Sequence, residues 1–237
     1  MTDQSIGVQS SRARFYGVLC ILIIAIVLGG FSPSYVGALM DGAVTPLIIH
    51  FHATVFIGWL VLFTTQALLP SFGRIDLHRK LGRFGIGYAV FLVIVGLATT
   101  ANRFAFHLDV EGSDAANAFL IHPLSDMIVF PAFFTAAILY RHKPEIHKRL
   151  MLVATVMLTI AAIGRLPIGD PPSDSIALLI WLSPIYIAMI YDYVTKRIIH
   201  PAYVIGLLTL GTVHFRYLVT DLNAWQSFAN GVAALVT

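Results

Sequence analysis

Nine histidines and a single cysteine sit in a chain of 237 residues. The histidines are the side chains best suited to chemistry, because neutral imidazole is a strong ligand for haem iron and for transition metals. Four of them follow a pattern. His50 comes after Ile49, and 28 residues later His78 opens the run His78-Arg79-Lys80-Leu81. His122 comes after Ile121, and 25 residues later His147 opens His147-Lys148-Arg149-Leu150. As helix, either interval would run about 40 Å, less its turn, so the two members of each interval belong at opposite faces of a bilayer. Arg103 and Arg165 close the segments that follow. Three features repeated in order predict a duplicated helical hairpin, with copies related by an axis along the membrane normal. That axis would set His50 opposite His122 and His78 opposite His147. Two imidazoles at one depth are what is needed to clamp a flat haem b, here once near each face. Arg103 and Arg165 would meet haem propionates at one face, and Arg79, Arg83 and Arg149 at the other.

A different grouping is open at the first of these faces. His50, His122, Asp126 and His214 fall at one level, and histidines with a carboxylate suit Zn²⁺, Cu²⁺ or Fe²⁺. Asp126, four residues after His122, shares its helical face and could instead orient it. His52 is two residues from His50 and points to another side of the helix. His78 and His147, set in basic loops, also read as solvated or headgroup-contacting residues.

These side chains need elements to position them, and the composition says which. Hydrophobic residues make up 58% of the chain and charged residues 11%, with a mean hydropathy of +0.83. Soluble domains carry about a quarter charged residues, so the solvent here is lipid. Seven apolar segments approach the roughly 20 residues a spanning helix needs: 15–31, 46–69, 84–101, 117–140, 150–166, 176–194 and 201–219. The first reads as a retained helix rather than a signal peptide. Pro33, Pro70, Pro144, Pro171 and Pro201 fall between or at the edges of the segments. Four basic clusters, Arg12 and Arg14, Arg74 to Arg83, Arg141 to Arg149, and Lys196 with Arg197, hold twelve of the fifteen Lys and Arg. They alternate with loops bearing Asp41, Asp109, Glu111, Asp114, Asp170, Asp174 and Asp221. The positive-inside rule then predicts a cytoplasmic N-terminus and an external C-terminus. The tail after Asp221, with Trp225, suits the outer membrane surface. The fold expected is an all-α bundle of seven transmembrane helices forming a single transmembrane domain over 1–237.

Positive charge confined to short loops sets topology, so the pI of 9.1 does not point to nucleic acid. One cysteine excludes a disulfide framework. Phosphate-binding loops, a dinucleotide fingerprint, di-iron histidine boxes and a retinal lysine in helix 7 are all missing from the sequence.

At His78-Arg79-Lys80-Leu81-Gly82-Arg83, and from His147-Lys148-Arg149-Leu150-Met151 to Arg165, the chain resembles a bacterial family of predicted membrane proteins of unknown function. The resemblance covers helices 2 to 6. More distantly, the four-histidine pattern looks like the diheme transmembrane cytochrome b reductases. There, helices 2 and 4 hold one haem and helices 3 and 5 the other. The resemblance implies that His50 with His122, and His78 with His147, play those roles. A seventh helix and inner histidines placed in basic loops depart from that family. The reading that follows is a haem b electron carrier or oxidoreductase of the bacterial inner membrane, exchanging electrons with quinone. Two readings stand beside it: a cofactor-free accessory subunit of a larger membrane complex, and a metal-dependent enzyme of the outer face.

Overall fold

The computed structural model describes residues 3–168 and 174–236, with side chains from residue 15 to 235. Asp170 and Pro171, assigned above to an outer loop, lie outside the described residues, as do the side chains of Arg12 and Arg14. Helix α1 (Asp3–Phe31) continues through a π turn, Ser32–Val36, and a last turn, Gly37–Met40. Then come α2 (Leu47–Leu68), α3 (Ile75–Val110), α4 (Ser113–Leu139) and α5 (Pro144–Met157). After a break α5 resumes for one turn, Ile160–Ile163. Helix α6 (Asp174–Lys196), α7 (Pro201–His214) with a 3-10 turn Phe215–Val219, and α8 (Asn223–Val236) complete the chain. No strand occurs among the described residues.

Seven of these helices are long and apolar enough to cross a membrane. Their outer surfaces agree: Ile21, Val61, Ile128 and Leu208 are each more than 60% exposed, which water would penalise and lipid does not. This is a multi-pass integral membrane protein. The predicted segments all reappear, with three differences. The first helix runs past 15–31 at both ends, starting at Asp3 and continuing through Pro33 to Met40. The third helix extends well beyond 84–101 at both ends, because its flanking polar residues need not stay within hydrocarbon. The fifth starts at Pro144, where proline is favoured as the first helical residue, and breaks at Leu158–Thr159.

Helices α2 to α5 pack in sequence around one apolar core, and α2 also touches α5, closing a four-helix bundle. Helix α5 is the hub, also meeting α1, α6 and α7. Close approach there depends on two glycines. A Cβ at Gly30 of α1 would fall 2.1 Å from the Ala162 carbonyl oxygen, and one at Gly206 of α7 would fall 2.6 Å from Val153. The tail after Asp221 forms α8, which docks on α3 and α4. Trp225 Nε1 donates to the Asn117 carbonyl at 2.9 Å, and the Asn117 amide donates to Gln226 and Asn230.

The start of α7 is capped by a side chain. His200 Nδ1 accepts from the Ala202 amide at 3.1 Å, which requires the neutral ring. Burial first, then the nearby Arg149 charge, push its pKa below the usual value of 6.5. The unfolded chain therefore takes up the proton first, and the cap's contribution is present above pH 6.5 and lost as pH falls through the lower folded value. His200→Ala should cost about 1 kcal/mol, the usual worth of a cap, with His200→Asn largely restoring it. Thermal unfolding in detergent at pH 7.5 and pH 5 measures both effects; the wild-type advantage over His200→Ala should shrink at pH 5.

Candidate functional site

His78 and His147 occupy the same place in two hairpins. Each is the fourth residue of its helix, and its backbone N–H bonds the residue just before that helix, Arg74 and Lys143 respectively, at 3.0 Å. Each then turns its ring back onto the preceding helix: His78 Nδ1 donates to the Gln66 carbonyl at 3.2 Å, and His147 Nδ1 to the Ala137 carbonyl at 2.8 Å. A carbonyl only accepts, so the proton sits on Nδ1 in both rings and the Nε2 lone pairs are left for a ligand. Metal-binding histidines are usually held this way. The two ring centres are 6.4 Å apart with planes at 87°. One metal shared at about 2.0–2.1 Å by a nitrogen of each ring puts the ring centres about 6 Å apart. Gln66 also donates its side-chain amide to the His78 carbonyl at 3.1 Å, so α2 and α3 are joined reciprocally at this residue.

The local sequences explain the match. Ile75-Asp76-Leu77-His78-Arg79-Lys80-Leu81 and Pro144-Glu145-Ile146-His147-Lys148-Arg149-Leu150 align position by position in chemical type. An acidic residue stands second in each helix, where the helix dipole favours it.

Beside the pair lies a buried ion network that the sequence reading did not assemble. Arg149 is 2% exposed. Its Nε donates to Asp192 of α6 at 2.8 Å and a second nitrogen bonds the same carboxylate. It also holds Glu145 at 2.9 Å. Lys148 and Lys196 reach Glu145 at 2.8 and 2.5 Å. Arg149 is therefore committed to carboxylates, not free to meet a propionate as expected above. Arg79, Lys80 and Arg83 on α3 have no carboxylate partner among the described residues. A lone Asp in the apolar run of α6 was the available signal for the network.

At the opposite end the predicted residues go to separate partners. His50 Nδ1 shares a 2.5 Å hydrogen bond with Tyr35 of the π turn. His122 Nδ1 accepts from Arg216 Nε at 3.0 Å, which places its proton on Nε2. Arg216 also binds Ser125 at 2.7 Å and the Asp126 carboxylate. His214 Nε2 lies 3.0 Å from Asp174, which also accepts from Tyr217. Arg103 stacks over Phe106 at 4.2 Å and Arg165 over Phe31 at 5.1 Å, the two charges within electrostatic reach of each other. No ring contact joins His50 to His122. Among the described residues no three His, Cys, Asp or Glu side chains converge as a metal site, so His50, His122, Asp126 and His214 are not gathered around one point.

Helix α2 carries one further pattern. His52, Trp59 and Gln66 recur every seven residues, hence along one stripe, and His52 Nδ1, Trp59 Nε1 and Gln66 Oε1 are buried with no partner in the protein. His52 stacks on Phe56 at 4.0 Å. Trp59 meets Phe130 and Phe134 of α4 edge-on, at 5.2 and 5.6 Å. The stripe faces inward: of the two neighbouring histidines, His52 brings a buried, unpartnered nitrogen to it.

No protein-family model matches this chain, and neither the curated proteins nor the solved structures compared with it give a match.

Proposed function

We propose that this protein is a haem b-binding membrane electron carrier or oxidoreductase, with His78 and His147 as axial ligands. The observation that carries the reading is the paired geometry: two histidines at equivalent helix positions, each with Nδ1 tied to a backbone carbonyl, their rings 6.4 Å apart. Such anchoring fixes tautomer and ring plane before any ligand arrives, so little ordering entropy remains to be lost on binding. Bound haem would supply one-electron chemistry. The chain's own part is to hold the two lone pairs in place, and Arg79, Lys80 and Arg83 would meet the propionates. The matched contacts also support the duplicated hairpin.

The same reading extends to a second haem on His50 and His122, with Arg103 and Arg165 beside it. Support is weaker there, because His122 accepts from Arg216 and offers iron no lone pair in that state. The protein belongs in this reading to the bacterial inner membrane, with its N-terminus cytoplasmic and its C-terminus outside. Then His78 and His147 lie near the cytoplasmic face, within reach of a soluble donor.

Two measurements test this. A reporter fused after Thr237 should read as external, and one placed between Arg141 and Lys143 as cytoplasmic; the reverse pattern would sink the orientation. Protein purified from cells supplied with haem precursor should be red, with a sharp α-band on reduction. Colourless protein sinks the haem reading and leaves a cofactor-free accessory subunit as the better one.

A further inference from the structure

An apolar groove between α3 and α4 ends at two unpaired cations. It is a cavity of about 330 Å³ whose wall includes Ile86, Val90 and Ile94 of α3 and Phe130, Thr135 and Ile138 of α4. Val90 and Ile94 are each 58% exposed, so the groove opens to lipid. From Ile86 to Ile94 it runs about 12 Å along α3, within the roughly 15 Å of hydrocarbon that one leaflet provides. Its Ile86–Ile138 end lies toward the histidine pair, since the carbonyl of Ala137 accepts from His147. At that end Arg83 continues the groove face of α3: with Ile86, Val90 and Ile94 it makes the series i, i+3, i+7 and i+11. Arg141 arrives from the end of α4, and its Nη1 donates to the carbonyl of Ile138, itself part of the wall, at 3.3 Å. Both arginines are exposed, and neither pairs with a carboxylate among the described residues. Asp76, the acidic residue of α3 nearest to Arg83 in the chain, forms no ion pair with them.

A polar group in the wall narrows the choice of occupant. Thr54, Thr65, Thr100 and Thr212 each donate their hydroxyl to the carbonyl four residues back, the local bond open to a helical threonine. The hydroxyl of Thr135 makes no hydrogen bond among the described residues. Thr135 stands one turn inside Ile138, so an open donor lies one turn deeper than the two guanidinium groups. An occupant that satisfies all of these has an apolar chain, an acceptor just above it and a negative charge at the end. Hydrocarbon alone leaves the donor and the charges unmet, and a zwitterionic headgroup brings an ammonium that two unpaired arginines repel. Arginine binds phosphate bidentately, and basic pockets between membrane helices hold anionic head groups. We propose that the α3–α4 groove is a specific site for an anionic phospholipid. One acyl chain lies along Val90 and Ile94, an ester carbonyl accepts from Thr135, and the phosphate sits between Arg83 and Arg141. The lipid site does not require haem, and Arg79 and Lys80, next to His78 in the chain, remain for propionates.

Native mass spectrometry of the purified, delipidated full chain tests it, with titration by dioleoyl phosphatidylglycerol or dioleoyl phosphatidylcholine. Wild type should retain one phosphatidylglycerol per chain, at about tenfold lower concentration than phosphatidylcholine, as charge-assisted hydrogen bonds to the phosphate imply. Arg83→Gln with Arg141→Gln should erase that preference, weakening phosphatidylglycerol about tenfold and leaving phosphatidylcholine unchanged. Thr135→Val should weaken both lipids about threefold, the worth of one neutral hydrogen bond, and Val90→Trp should weaken both by filling the groove. These positions face lipid, where the fold has little to lose. Arg197→Gln, which removes an exposed charge beside α6 and away from the groove, should change nothing, whereas Arg83→Gln alone should already reduce the preference. Equal retention of the two lipids by wild type overturns the inference. So does a full preference in the Arg83→Gln, Arg141→Gln protein, or a loss in Arg197→Gln as large as in Arg83→Gln.

Discussion

Replacing either His78 or His147 by alanine should abolish the reduced-haem α-band of that site rather than weaken it in proportion. A low-spin iron needs two strong axial ligands, and each helix supplies only one. The effect should be complete in both variants and no larger in the double variant. Gln66→Leu is the discriminating control. It removes the amide that donates to the His78 carbonyl but keeps the backbone carbonyl that accepts from His78 Nδ1. It should therefore retain haem, because the hydrogen bond that holds the ligand ring is kept. Protein of full colour after His78→Ala or His147→Ala would refute the assignment. At the other end, His50→Ala and His122→Ala test the second haem. Unchanged pigment in both would confine the cofactor to the His78–His147 end.

The second large effect is on stability. Arg149→Met should destabilise the protein by about 3–5 kcal/mol, the cost of leaving a buried charge unpaired. Asp192, 4% exposed, is that charge, since Arg149 is the cation that binds it closely and Lys196 stands at 3.9 Å. For a chain of this length the midpoint should fall by about 6–20 °C. Asp192→Asn should cost less than Arg149→Met, because Arg149 keeps Glu145 at 2.9 Å. The double variant Arg149→Met with Asp192→Leu should recover most of the loss, as replacing a whole buried pair with apolar groups often does. Thermal unfolding in detergent reads all four proteins, and a double variant as unstable as Arg149→Met would refute the account.

How much was legible beforehand follows from what each residue answers to. The seven helices were, because the bilayer imposes a length and composition on every span that no packing partner can waive. Residues 46–69 and 117–140 needed nothing beyond their own apolarity to be read as α2 and α4. The extent of α3 was not, because outside hydrocarbon a helix is limited only by caps such as Gly112, with φ 90°. The break in α5 was equally hidden: Val156 O accepts from Trp181 Nε1 at 2.8 Å, a partner 25 residues away that stabilises a backbone the local sequence does not demand.

The sequence by itself determined the lipid solvent and the number of spans, and it set His78 and His147 at equivalent places in two hairpins; the same spacing also paired His50 with His122, which the structure gives to Tyr35 and Arg216 instead. Only the tertiary structure decided which neighbouring histidine looks inward and which charges meet. His50 and His52 are equally good ligands on paper. The rotation of α2 in the bundle turns His52, with Trp59 and Gln66, to the interior and leaves His50 to Tyr35. No local sequence signal joins Arg149 to Asp192 or Arg216 to Asp126, yet the structure pairs each with that carboxylate, more than forty residues away. Helix rotation and long-range ion pairing are set by the sum of contacts over several helices, and no single segment carries that sum.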